Sequence, residues 1–317
     1  MWLSYSIYSQ VQRQPNLERS WQQIRESFGG PMVVNLVLVV ILMMVNWSIE
    51  AVKWKISVQR IQQVSFFTAF KAILSGTSFS VTTPNRVGEY LGRVLYMNEG
   101  NRLKAISLTI AGSMSQLIVT LFMGWIGLIL LKKPIENSQV LSGIWMQVMI
   151  YGVFFALLVL TVFYFRLSLI IKLVEKLPAI RKYVWLIKDL EGFNATLMGQ
   201  LLSLSAVRFL VFVIQYYLLF RLFGVEVSWW QGLWAVSVSF LVMAVIPTIA
   251  LFTDLSLRGQ VSLKLLGLFS SNSLGISLAS VSIWFINLII PAVAGSLLIM
   301  GIKRIFKNNN NKDDEGT

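Results

Sequence analysis

Six stretches of this chain run for nineteen residues or more with at most one charged side chain each. Residues 31–49, 105–131, 141–165, 227–253 and 265–302 carry no charge, and 200–220 carries only Arg208. A run of about 18 apolar residues is long enough to cross the hydrocarbon of a bilayer as a helix. The chain is 56% hydrophobic and 13% charged, where a soluble domain carries about a quarter charged residues. Inside a bilayer the backbone must satisfy its own hydrogen bonds, and long unbroken apolar runs do this as helices. The expected fold class is therefore all-α, a polytopic transmembrane helix bundle.

The chain contains no Cys and no His. Disulfides, thiol catalysis, imidazole bases and thiolate or imidazole metal sites are excluded. No phosphate-binding loop, dinucleotide loop or paired-carboxylate signature occurs, so no enzymatic activity and no cofactor are expected. The net charge of +13 fits loops that face a cytoplasmic surface and anionic headgroups better than it fits nucleic acid.

The distribution of Lys and Arg orients the spans. Residues 166–198 hold Arg166, Lys172, Lys176, Arg181, Lys182 and Lys188 and form an expected basic cytoplasmic loop. Arg86, Arg93, Arg102 and Lys104 mark 84–104 as cytoplasmic, and Lys303, Arg304 and Lys307 do the same for the tail. The loop 222–231 has Glu226 and no base, so it goes outside; 132–140 follows it there despite Lys132 and Lys133. Helices are expected over 31–52, 105–131, 141–165, 200–221 and 276–302. Residues 1–30 form an expected polar N-terminal segment. Residues 303–317, a run of Asn and acidic residues, form an expected disordered cytoplasmic tail.

Two stretches do not read as simple spans. Residues 64–83 carry Lys71 and many Ser and Thr, and they end at Pro84 beside cytoplasmic charges at both ends. Residues 232–264 start outside and break at Pro247, as a re-entrant segment or two short crossings. Each break has a Pro, then an acid, then an Arg four residues later: Pro84, Glu89 and Arg93; Pro247, Asp254 and Arg258. An i, i+4 pair shares one helix face. Broken helices in corresponding positions of two halves point to a transporter-type site and an inverted pseudo-repeat. A broken helix end offers free N–H groups and a positive dipole to a phosphate, with Arg86 and Arg93 placed to clamp it. An ordinary cytoplasmic turn and an interfacial ion pair would leave the same residues. Arg208 and Lys71 are secondary candidates that snorkelling or helix pairing explains equally. Glu50, at a span end, reads as interfacial.

The stretch Thr83-Pro84-Asn85-Arg86-Val87-Gly88-Glu89 resembles the membrane region of lysylphosphatidylglycerol synthase and its stand-alone flippase-like relatives. Those proteins carry Thr-Pro-Gly-Arg-x-Gly-Glu there, and Asn85 stands where Gly is usual. Their second half carries a Pro followed by Glu-x-x-x-Arg-Gly, which Pro247, Asp254, Arg258 and Gly259 match with Asp for Glu. The resemblance spans most of 31–302. It implies a flippase-like domain with re-entrant helices in the plasma (inner) membrane, moving or holding a phospholipid, aminoacylated lipid or polyprenyl-linked lipid. Arg86, Glu89, Arg93, Asp254 and Arg258 would grip the headgroup; Thr83, Pro84, Gly88, Pro247 and Gly259 would shape the breaks. The resemblance also implies a further membrane helix ahead of 31, of which residues 1–12 look like the end, and with ten residues after Lys307 the synthase's lipid aminoacylation is not expected. The alternatives are a non-transporting subunit that anchors an envelope-lipid enzyme, or a lipid transferase that uses an acid. The expected partners are membrane lipids and such an enzyme, with no nucleic acid.

Overall fold

The computed structural model describes residues 30, 32–83, 87–138, 142–167, 171, 185, 187–246 and 251–301, with isolated positions at 18, 21, 22, 25 and 26. Pro84, Asn85, Arg86 and Pro247 lie outside the described residues, as do much of 1–30 and 166–198 and all of 303–317.

Among the described residues the regular structure is all helix. Five helices are long and apolar enough to cross a membrane. They are α1 (Val33–Val58), α4 (Arg102–Leu130), α6 (Gly143–Phe165), α7 (Ala195–Leu222) and α10 (Ser273–Trp284). The last continues through a π turn, Phe285–Ile289, to Gly301. The shorter helices are α2 (Phe66–Thr82), α3 (Gly88–Val94), α5 (Lys132–Asn137), α8 (Trp229–Val245) and α9 (Leu251–Leu266). The sequence places all five spans, with ends that differ by a few residues. The important difference is α1, which runs to Val58 rather than 52 and so takes Lys53 and Lys55 into the helix.

Helices α2 and α3 form a hairpin. Its feet are joined: the Asn101 side chain donates to the Ile61 carbonyl at 2.9 Å, and the Asn98 N–H donates to the Gln62 side chain at 2.9 Å. Its arms run antiparallel, with Gly92 against Gly76 and the Tyr96 hydroxyl 2.9 Å from the Ser75 hydroxyl. At the tip Thr83 is extended, as a residue before proline must be. Its hydroxyl donates to the Phe79 carbonyl at 3.1 Å and accepts from the Gly88 N–H at 2.7 Å. One side chain thus satisfies a carbonyl freed at the end of α2 and an N–H freed at the start of α3.

Helices α8 and α9 form the second hairpin. Ser228 and Gln231 make a capping box that starts α8. The helix stops at Ile246, extended ahead of Pro247. Gly224 at φ 64° closes α7, with the Val225 N–H reaching back to Phe220 at 2.8 Å. Asn272, the cap of α10, donates to the Phe223 and Gly224 carbonyls at 3.0 Å. The chain therefore returns after α9 to the end of α7 from which α8 departs, which selects the re-entrant form over two crossings.

Helices α1 and α7 pack antiparallel: Gln215 donates to the Val39 carbonyl at 2.8 Å, and Arg208 bonds Asn46 at 2.7 Å. The first hairpin is rooted at the C-terminal end of α1 and the second at the C-terminal end of α7, so they enter from opposite faces. The order span, hairpin, span occurs twice, with α6 between the copies. Helix α6 buries little and turns Ile144, Trp145, Tyr151 and Phe155 outward, a surface suited to lipid tails. The topology makes a direct prediction. In a chain without native Cys, Asn98→Cys and Glu226→Cys should react with a membrane-impermeant maleimide from opposite sides. Labelling of both from one side would refute the opposed hairpins.

Candidate functional site

A cavity of about 680 Å³ lies where the two hairpins meet between α1, α4, α7 and α10. The first hairpin contributes Thr77, Ser80 and Glu89, and the second contributes Met243, Asp254 and Arg258. Helix α4 presents Ser113, Gln116, Leu117 and Thr120, the i, i+3, i+4, i+7 stripe of one helix face. Helix α10 presents Trp284 and Asn287, the latter inside the π turn. Such turns rotate the residues that follow and recur at functional sites.

Glu50 is the hub of the wall. It is 6% exposed, where the sequence reading makes it interfacial. The correction follows from the three cations that converge on it, one of them Lys53 in the added turns of α1. Arg208 donates to Glu50 Oε2 at 2.5 Å, Arg93 donates to Oε1 at 2.9 Å, and Lys53 Nζ lies 3.4 Å from Oε2. Arg93 also bonds Glu89 across one turn of α3. These contacts tie α1, α7 and the first hairpin together. Charges at membrane depth face one another or a cavity because lipid cannot solvate them.

Arg208 is held on every side. Its Nε donates to Asn46 Oδ1 at 2.7 Å, and Asn46 in turn donates to Asn287 at 3.3 Å, which links α7, α1 and α10. Its guanidinium lies 5.4 Å from the Trp47 ring centre and 5.7 Å from that of Phe212, within cation–π range. Two turns along α7, Tyr216 accepts from Arg258 Nη1 at 3.3 Å, and Arg258 pairs with Asp254 at 3.7 Å. Phe240 packs edge-on against Phe209, Phe212 and Tyr216, forming an aromatic partition between the two charged groups.

Several sequence candidates therefore share one site. Glu89, Asp254, Arg258 and Arg208 line the cavity. Arg93, 2% exposed, stands behind it and holds two carboxylates. Thr83 and Gly88 form the first break. Two candidates are placed elsewhere. Lys71 is exposed on α2 and does not reach the cavity, since it falls on the outer face of that helix. Gly259 lies within α9 rather than at a break, because the helix restarts by Leu251. Asn46, Trp47, Glu50, Lys53, Gln116 and Asn287 belong to the site or its support and are absent from the sequence candidates.

No curated protein and no solved structure matches the chain. The family model described as "Lysylphosphatidylglycerol synthase TM region" matches residues 16–252, a stretch that runs from before α1 to the start of α9 and includes Glu50, Lys53, Glu89, Arg93 and Arg208. With an all-helical bundle, five membrane-length helices and this match over more than half its length, the chain is an integral membrane protein that belongs to the lysylphosphatidylglycerol synthase transmembrane-region family, a family tied to lipid handling.

Proposed function

We propose that the protein is a flippase-like carrier that takes a lipid headgroup into the cavity between its hairpins and passes it from one leaflet to the other. The observation that carries this reading is the position of the cavity. It is walled by re-entrant hairpins rooted on opposite faces, and each brings to it an acid paired with an Arg four residues on, Glu89 with Arg93 behind it and Asp254 with Arg258 beside it. A headgroup at mid-membrane needs polar partners in place of water, and acyl chains need an apolar outer surface on which to slide. Non-helical backbone at that depth is tolerated where it lines a cavity. The basic residues of 166–198 and of the tail support an orientation with the C-terminus and the foot of the first hairpin in the cytoplasm.

The test is transbilayer movement of fluorescent anionic, zwitterionic and cationic lipids in proteoliposomes. Wild-type protein is expected to move at least one headgroup class. Glu89→Gln and Arg258→Gln together should slow it at least about tenfold, as loss of two charge-assisted contacts predicts. Unchanged movement in the double variant would remove the charged turns from the mechanism. No movement by folded wild-type protein with any headgroup would favour a non-transporting subunit of an envelope-lipid enzyme.

A further inference from the structure

Among the described residues, the cavity wall taken together with the arginine behind it is not electrically balanced. Its charged residues are Glu50, Lys53, Glu89, Arg208, Asp254 and Arg258, three acids and three bases among the described residues. Arg93, bonded to two of those acids, makes four cations against three carboxylates, an excess of one positive charge. The excess can be located. Glu50 has two oxygens for three cations; Arg93 takes one and Arg208 the other. Lys53 Nζ, on a residue 2% exposed, is left with a 3.4 Å contact to Glu50 Oε2, the longest of the three, and has no well-formed hydrogen bond there.

The unpartnered polar atoms of the wall have a matching polarity. Five buried side-chain atoms on cavity-lining residues lack a hydrogen-bond partner: Lys53 Nζ, Trp47 Nε1, Trp284 Nε1, Arg258 Nε and Gln116 Oε1. Four of the five are donors. Buried donors without acceptors are costly and uncommon. A wall that holds four of them, one being the ammonium of Lys53 that shares Glu50 with two arginines, is short of an anion. A lysine suits this role, since its ammonium on a flexible four-carbon stem can swing from Glu50 to a ligand oxygen.

We propose that the cavity is a site for one oxyanion group bearing a single negative charge, with Lys53 as its principal charge partner and the Trp47 and Trp284 indoles as neutral donors. The inference rests on the carrier reading only in taking that oxyanion from a lipid headgroup. The charge count then selects a phosphodiester, which is a monoanion, over a phosphomonoester, whose second ionisation near pH 6 leaves it mostly dianionic at neutral pH. Inorganic phosphate offers the same oxygens without acyl chains and is the competing source.

The test is calorimetric titration of the full chain in detergent with four probes: dihexanoyl phosphatidylglycerol, dihexanoyl phosphatidic acid, sodium phosphate and dihexanoylglycerol. Phosphatidylglycerol is expected to bind more tightly than the other three. Lys53→Met should weaken it at least about tenfold, while Lys53→Arg should stay within about threefold of wild type. Trp284→Phe, which removes one N–H and keeps an aromatic ring, should weaken binding about threefold to tenfold and serves if Lys53→Met does not fold. Unchanged affinity in folded Lys53→Met, or in Trp284→Phe when that variant stands in for it, overturns the proposal. So does equal affinity for dihexanoylglycerol, and tighter binding of phosphatidic acid overturns the single-charge assignment. Inorganic phosphate binding as tightly as phosphatidylglycerol keeps the anion site and assigns it to the free ion, against the carrier reading. Lys53-dependent lipid binding by a protein that moves no lipid would keep the site and sink the carrier reading alone.

Discussion

Replacing Glu50 with Gln is expected to be the most damaging polar substitution in the protein, lowering stability by about 3–5 kcal/mol, the cost of removing one member of a buried ionic group. Glu50 holds Arg93 from the first hairpin, Arg208 from α7 and Lys53 from its own helix. An amide accepts through one atom only, and its NH₂ points like polarity at a cation. Three buried positive charges would then share Glu89 alone among the neighbouring acids, and only Arg93 bonds it. Detergent-solubilised Glu50→Gln should unfold at a clearly lower temperature and accumulate poorly in the membrane. Glu99, whose side chain is 91% exposed beside Arg102, is the control: Glu99→Gln should leave the melt unchanged. A double-mutant cycle adds a sharper reading. If Lys53 is the surplus cation, Lys53→Met in the Glu50→Gln background should recover part of the loss, with a coupling of about 1 kcal/mol or more. A normal melting temperature for Glu50→Gln would mean that the cluster carries little of the fold.

The spans are legible in the sequence because the bilayer imposes one requirement on them, an apolar run of sufficient length. The breaks are legible because Pro84 and Pro247 constrain the residues before them, and Thr83 and Ile246 are extended accordingly. The hub is not legible in the sequence because Glu50 and Lys53 follow the apolar run 31–49 and resemble an ordinary end of a span. A signal was present. Asn46, Glu50, Lys53 and Ser57 recur at intervals of four, three and four, a polar stripe along an otherwise apolar helix, and all four are buried. A polar stripe on a membrane helix must face protein or a cavity. Its partners Arg93 and Arg208 lie 43 and 158 residues from Glu50 in the chain. No local pattern reports contacts at that separation, and the site exists only once the antiparallel packing of α1 on α7 is known. Gly259 shows the opposite error. A motif resemblance placed it at a break, while local helix formation from Leu251 onward carried it two turns inside α9.

Adding a single methyl group at Gly92 should disable the protein without touching any charge. A Cβ built there would lie 2.5 Å from the Gly76 Cα and 2.5 Å from the Gly76 N. A Cβ at Gly76 would meet the Glu89 carbonyl oxygen at 2.7 Å. The two arms of the first hairpin thus approach backbone to backbone, the close contact that small residues permit between membrane helices. Overpacking costs about 1–3 kcal/mol when side chains can shift. Here the obstacle is main chain, so Gly92→Ala belongs at the upper end, about 3 kcal/mol, or the arms separate. Separation would move Glu89 and Arg93, one turn or less from Gly92, away from Glu50, and would pull Thr77 and Ser80 from the cavity wall. Lipid binding and movement should fall together with the melting temperature. Gly152 in α6 and Gly100 between α3 and α4 are the controls, since a Cβ at either meets nothing within 4 Å. Gly152→Ala should be neutral or slightly stabilising, because Ala is the better helix former. If Gly92→Ala melts and binds like wild type, the two arms do not touch through their glycines. The charged hub would then have to be held by its ion pairs alone, which the exposure of Glu89 to the cavity makes a weak support.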